Sequence, residues 1–83
     1  MEIFRSAHKH AVSDEDIRHA VERALVAADQ DDGKVLYLGP DQAGNLLEIV
    51  AITREDSTEI VIHAMKMRRI YEPLLREQGD PNA

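Results

Sequence analysis

Glu59-Ile60-Val61-Ile62-His63-Ala64-Met65-Lys66-Met67-Arg68-Arg69-Ile70-Tyr71 is the stretch on which the fold turns, because its hydrophobic period changes partway along. Ile60, Val61 and Ile62 are β-branched in series and read as a strand. Met67, Ile70, Tyr71, Leu74 and Leu75 then fall at i, i+3, i+4, i+7 and i+8, the spacing of a helix face. The switch lies at His63 to Met65. From His63 to Tyr71 the basic residues Lys66, Arg68 and Arg69 occur with no acid, in a chain of net charge -6. Cations in a first helical turn oppose the macrodipole at a cost of roughly 0.3–1 kcal/mol each. The ordinary account of such a run is a solvated basic face; the alternative is a binding site for an anion.

Outward from this stretch, the chain has 83 residues, enough for one small domain. A domain of this size buries only roughly 60–65% of the surface its unfolded chain exposes, so its stability is modest. There is no cysteine, hence no disulfide and no thiolate metal site. No apolar run approaches the ~20 residues that span a bilayer, and Met1-Glu2-Ile3-Phe4-Arg5 carries no signal-peptide core. These features lead to the expectation of a cytoplasmic protein without a membrane partner. The acidic balance argues against a general nucleic-acid binder, so any such contact must use a local patch.

Ile3 and Phe4 form a short first strand or a hydrophobic anchor. His8-Lys9-His10 is a small cationic cluster, with too few further imidazoles or carboxylates at ligand spacing for a metal site. Ser13 is a good N-cap, followed by Asp14, Glu15 and Asp16 at the end of a helix that favours negative charge. Val12 and Ile17 are placed as a hydrophobic staple. Ile17, Ala20, Val21, Ala24, Leu25 and Ala28 continue at helical spacing, which predicts a helix over 13–29. Gln30-Asp31-Asp32-Gly33 is a turn.

Strands are predicted at 34–39, 45–53 and 58–64. Leu46, Leu47, Ile49, Val50, Ala51 and Ile52 make the second apolar on both faces, as a central strand requires. The connections Asp41-Gln42-Ala43-Gly44 and Arg54-Glu55-Asp56-Ser57 are short and polar, so neighbouring strands run antiparallel. A last helix is predicted over 66–77, followed by a tail at 78–83. Pro73 inside it implies either a kink or a restart with Pro73 in a first turn. The expected fold is α+β: one three- or four-stranded antiparallel sheet with an N-terminal and a C-terminal helix, in a single domain over 1–83.

That order, together with Lys9-His10-Ala11-Val12-Ser13 before an acidic first turn and Ile62-His63-Ala64 leading into Arg68-Arg69-Ile70-Tyr71, resembles the BrnT-type toxins of bacterial toxin–antitoxin systems. These are small relatives of the RelE-like ribonucleases. The resemblance runs from about His8 to Leu75. Two departures stand out: Ala11 replaces the family's glycine, and Met65 stands where the family often has an arginine.

The resemblance implies metal-free RNA cleavage, in which the ribose 2′-hydroxyl attacks the adjacent phosphate. Such chemistry needs a base, an acid and cations for the phosphorane charge. Carried over onto this chain, His10, His63 and Tyr71 are the catalytic candidates, and Lys9, Lys66, Arg68 and Arg69 are the RNA-binding candidates. Each has a plainer alternative: a surface or capping place for His10, a hydrogen bond to the sheet for His63, a core position for Tyr71. Arg68 and Arg69, about 100° apart on a helix, would not both face one site. No metal or other cofactor is expected. The implied partners are RNA and a cognate antitoxin, itself a DNA-binding protein, whose acidic side chains would mask Lys66, Arg68 and Arg69; a homodimer stays open. The alternative function is a non-catalytic protein-interaction module of the same fold.

Overall fold

The computed structural model of the chain describes residues 1–79. It is an α+β fold built on one five-stranded sheet in the order β1-β5-β4-β3-β2. The strands are β1 (Glu2–Ile3), β2 (Val26–Asp29), β3 (Lys34–Pro40), β4 (Leu46–Thr53) and β5 (Glu59–Lys66). Helix α1 (Asp14–Glu22) lies between β1 and β2, and α2 (Glu72–Gly79) follows β5. Strands β3 to β5 form the expected antiparallel meander, with β4 central, and β2 extends it beyond β3.

The sheet is larger than the expected three or four strands, and it is mixed. Glu2 and Ile3 pair in parallel with Ile60 and Val61, and Phe4 N–H donates to the Val61 carbonyl at 2.8 Å. The other addition is β2, which replaces the second half of the helix predicted over 13–29. Here Ala-rich spacing serves either structure, and the sheet decides. Helix α1 closes at Arg23, Leu25 N–H donates to the Leu38 carbonyl at 2.8 Å, and Gln30 N–H donates to the Lys34 carbonyl at 2.7 Å. The tight turn between β2 and β3 uses left-handed backbone at Asp32 (φ 65°) and Gly33 (φ 73°).

The start of α1 follows the sequence. Ser13 caps it, its hydroxyl accepting from Asp16 N–H at 3.1 Å, and Val12 packs into the same cluster as Ile17. That cluster joins Ala7, Ile17 and Ala20 to Leu47, Ile49, Ala51, Val61 and Ala64 from one face of the sheet. On the other face Val26, Leu36 and Leu38 are covered by Met67, Tyr71, Leu74 and Leu75. The predicted 66–77 helix is corrected. Lys66 ends β5, Arg68 is extended (φ -85°, ψ 154°), Arg69–Tyr71 is a single 3-10 turn, and α2 begins at Glu72. Pro73 is therefore a first-turn residue, where its missing N–H costs nothing. The cations of the basic run precede α2 rather than opening it, so the macrodipole penalty does not arise. Ile70 is 68% exposed and drops out of the predicted apolar stripe. Residues 80–83 of the expected tail lie outside the described residues. Among the described residues no helix is long and apolar enough to cross a membrane.

Gly39 fixes how closely α1 sits on the sheet. A Cβ there would fall on the Ala20 carbonyl oxygen and 3.0 Å from Ala24 Cα, backbone atoms of α1 and of the turn that leaves it. The Gly39-Pro40 pair, which reads as a strand stop, is instead the last stretch of β3 and the place where α1 touches it. Gly39→Ala is expected to lower the unfolding free energy in urea by about 3 kcal/mol or more, as overpacking against backbone does. Unchanged stability would mean that the α1–β3 approach is looser than described.

Candidate functional site

Strand β5 does not alternate evenly. Val61 lies opposite Ala51 and His63 lies opposite Val50, so Ile62 is an extra residue, a β-bulge. Val61 and Ala64, three residues apart, both join the core on the α1 face. Without the bulge His63 would face Ile49 in that core. With it, His63 is carried to the opposite face, beside Glu48, whose cross-strand neighbours are Leu38 and Met65. The bulge is tied down from outside: Ser6 Oγ–H donates to the Ile62 carbonyl at 2.6 Å.

Glu48 is fully buried, and its carboxylate accepts four hydrogen bonds. Arg68 supplies three of them: its backbone N–H and Nε–H to Oε1, both at 2.9 Å, and Nη2–H to Oε2 at 2.8 Å. His63 Nε2 stands 3.0 Å from Oε2. Burial alone would raise the Glu48 carboxyl above its ordinary value. The hydrogen bonds and positive charge of Arg68, joined by His63, outweigh burial and hold it below that value. The same contact raises the Arg68 guanidinium further. Against an ionised carboxylate Nε2 must be the donor, which leaves Nδ1 as the ring nitrogen not engaged by Glu48.

His10 meets His63 ring to ring, edge on, with centroids 5.9 Å apart. His10 is exposed, on the loop into α1, and is followed by Ala11 at φ 60°, a left-handed conformation that disfavours any side chain. The loop thus accepts strain at the residue that directs His10 over the edge of β5. Its neighbour His8 turns elsewhere, with Nε2 2.9 Å from Asp14 Oδ1. The His8-Lys9-His10 cluster is therefore split, and no group of three ligating side chains among the described residues could hold a metal ion.

The candidate residues fall into two sets. His10, His63, Arg68 and Tyr71 are brought together around Glu48. The Arg68 guanidinium lies 5.8 Å from the centre of the Tyr71 ring, and that ring packs on the Val26, Leu36 and Leu38 cluster, where the core alternative placed it. Lys9, Lys66 and Arg69 are exposed and form no ion pair among the described residues. Arg68 is half exposed but already bound to Glu48, so its main contact is internal rather than free for a ligand. Glu48 itself was missed by the sequence reading. Its signal was there: a lone charge inside a strand apolar on both faces must have a buried partner. Comparison with protein-family models, curated proteins and solved structures finds no match for this chain.

Two outcomes follow from this geometry. A carboxyl held below its unfolded value of about 4.5 contributes stability that is present above that pH and is lost as pH falls through the folded value. Melting temperature should therefore fall on acidification below about pH 4.5. Arg68→Ala, which strands the buried carboxylate, should lower the melting temperature more at pH 7 than at pH 4; an equal loss at both would refute the ionised pair. Ala11→Gly should raise stability by about 0.5–1 kcal/mol in urea, by removing the left-handed strain net of glycine's greater freedom when unfolded.

Proposed function

We propose that the chain is a metal-independent endoribonuclease of the toxin kind, with His63 as general base and Glu48 as the residue that positions it. The observation that carries this is His63 held through Nε2 by the Glu48 carboxylate, beside a second imidazole whose ring centroid lies 5.9 Å from its own. In the reaction, His63 Nδ1 takes the proton from a ribose 2′-hydroxyl as its oxygen bonds to phosphorus. The bond from phosphorus to the 5′-oxygen breaks, and protonated His10 supplies that oxygen with a proton. The products are a 2′,3′-cyclic phosphate and a 5′-hydroxyl end. Arg68 keeps the N–H groups of Nη1 for a phosphate oxygen while Nε and Nη2 hold Glu48. Tyr71 serves to support Arg68 rather than to move a proton. Lys9, Lys66 and Arg69 supply sequence-independent attraction for RNA.

The likeness to BrnT-type toxins gains one physical support. Ala11, standing where that family has glycine, adopts the backbone conformation glycine favours. A second reading has its own observation. Arg68, one of four expected RNA-binding cations, is committed to Glu48, and the chain carries net charge -6. On that basis the chain is a non-catalytic module whose basic face docks an acidic partner such as an antitoxin, in keeping with a cytoplasmic pair.

The test is cleavage of single-stranded RNA with EDTA present. Wild type should cleave and leave cyclic phosphate ends. His63→Ala and His10→Ala should each lose about 10²–10⁴-fold in rate. Glu48→Gln should keep RNA affinity, lose rate and shift the pH profile of cleavage. Arg69→Glu should weaken RNA binding with melting unchanged. Absence of cleavage by folded wild type, with retained binding of an acidic partner, would select the second reading; dependence on Mg²⁺ or Zn²⁺ would overturn the mechanism.

A further inference from the structure

One part of the sheet lies outside both cores. Met67, Tyr71, Leu74 and Leu75 cover the face of β2 and β3 that carries Val26, Leu36 and Leu38. Further along that face, Ile52 and Ile60 stand opposite each other, and each alternates with a core residue, Ala51 or Val61, that faces α1. The bulge puts Ile62 and His63 on this face as well. Phe4 completes the patch. Ile3 packs on the α1 core, and Phe4 continues the extended chain at φ -79° and ψ 156° with its N–H bonded to the Val61 carbonyl. Its side chain therefore falls on the His63 face, next to Ile62. Ile52, Ile60 and Ile62 are half-buried and belong to neither core cluster. Phe4, the chain's one phenylalanine, is 52% exposed and so kept out of the core.

We propose that this patch is a stacking subsite for one unpaired RNA base, that of the nucleotide whose 2′-hydroxyl attacks. The assignment rests on the reaction proposed above. There His63 meets the 2′-hydroxyl and His10 meets the leaving 5′-oxygen. The base on the 5′ side of the broken bond is thus the one brought to the surface around His63. Phe4 supplies the aromatic ring on which it stacks, and the three isoleucines supply the apolar floor beside it. An aromatic ring next to cations that take the phosphates is the way single strands are held without reading base edges.

Size and charge select a base over a protein partner or a second copy. Four apolar side chains fall far short of the roughly 20–30 residues a side that a stable protein interface takes. They suffice for a single heterocycle. The carboxylates that the strands place on this face are Glu2 and Glu48, and each is already paired, with Arg54 and with Arg68. The cations bordering the patch are Arg68 and Lys34, which stands opposite Ile52. A polyanion is therefore not repelled here, although the chain as a whole carries net charge -6. The patch side chains Phe4, Ile52, Ile60 and Ile62 have no hydrogen-bonding group, so stacking strength sets the preference. A purine is held more tightly than a pyrimidine, and a base paired in a duplex is refused.

Phe4→Trp provides the test, because the chain has no tryptophan and the variant reports from the patch alone. The probes are short single-stranded 2′-fluoro oligonucleotides, which lack the attacking hydroxyl and cannot be cleaved: an oligoadenylate, an oligouridylate and an abasic oligomer of equal charge. The oligoadenylate should quench the indole emission, the oligouridylate should do so only at higher concentration, and the abasic oligomer should leave it unchanged. Phe4→Ala should bind the oligoadenylate about tenfold more weakly than wild type, with Phe4→Trp binding at least as tightly as wild type. Both variants should melt as wild type does, since Phe4 is half exposed. In RNA cleavage, Phe4→Ala should lose the preference for a purine on the 5′ side. No binding of any oligomer, equal affinity for the abasic oligomer, or equal affinity of Phe4→Ala and wild type would each overturn the subsite even if RNA is cleaved. So would an emission that changes with protein concentration alone, as a second copy would cause, or only with a protein partner. Base-dependent quenching in a chain that cleaves no RNA would uphold the base subsite and overturn only the catalysis.

Discussion

The buried Glu48 carboxylate is the interaction on which the site depends. A charge at the centre of a sheet is tolerated only if its desolvation is offset, and here four donors converge on two oxygens. Three of those donors belong to Arg68, one of them its backbone N–H. The carboxylate therefore sets the path of the chain as well as binding a side chain. It fixes the point where β5 ends and the segment toward α2 turns across the sheet. Met67, Tyr71, Leu74 and Leu75 then reach the apolar cluster of Val26, Leu36 and Leu38. Glu48 thus links the second core to the residues beside His63.

The bulge at Ile62 is the backbone counterpart of that charge. A regular strand would send His63 into the α1 core, where an imidazole between Ile49 and Val61 would have no polar partner. One extra residue reverses the face from His63 onward while leaving Val61 and Ala64 packed. Ser6, from the 3-10 turn after β1, bonds the bulge residue itself. The same N-terminal segment leads on to His10 through the left-handed Ala11. The parallel strand β1, the bulge and the strained loop act together to place two imidazoles side by side.

Where the expectation and the structure part, the reason is local degeneracy. Ser13, Val12, Ile17, Ala20 and Val21 carry a complete helix start, with cap, staple and stripe agreeing, and α1 begins as predicted. Ala24, Leu25 and Ala28 fit a helix stripe almost as well as a strand, since alanine commits to neither. The unsatisfied edge of β3 settled the matter. Met67, Tyr71, Leu74 and Leu75 sit together on one cluster without a continuous helix beneath them. A strand end, a 3-10 turn and a first-turn proline mimic the spacing.

The sequence by itself determined the α+β class, the antiparallel run of β3, β4 and β5 with β4 central, and the start of α1. These follow from periodicity, capping and turn chemistry, which act within a few residues. Only the tertiary structure decided that Glu48 is the centre of the site, that Arg68 faces inward while Lys66 and Arg69 face water, and that β1 and β2 complete the sheet. Those outcomes depend on pairings between separate elements, from β2 with β3 to Glu48 with His63 and Glu2 with Ile60. A bulge of one residue, with no marker in its own composition, reverses which face a side chain meets.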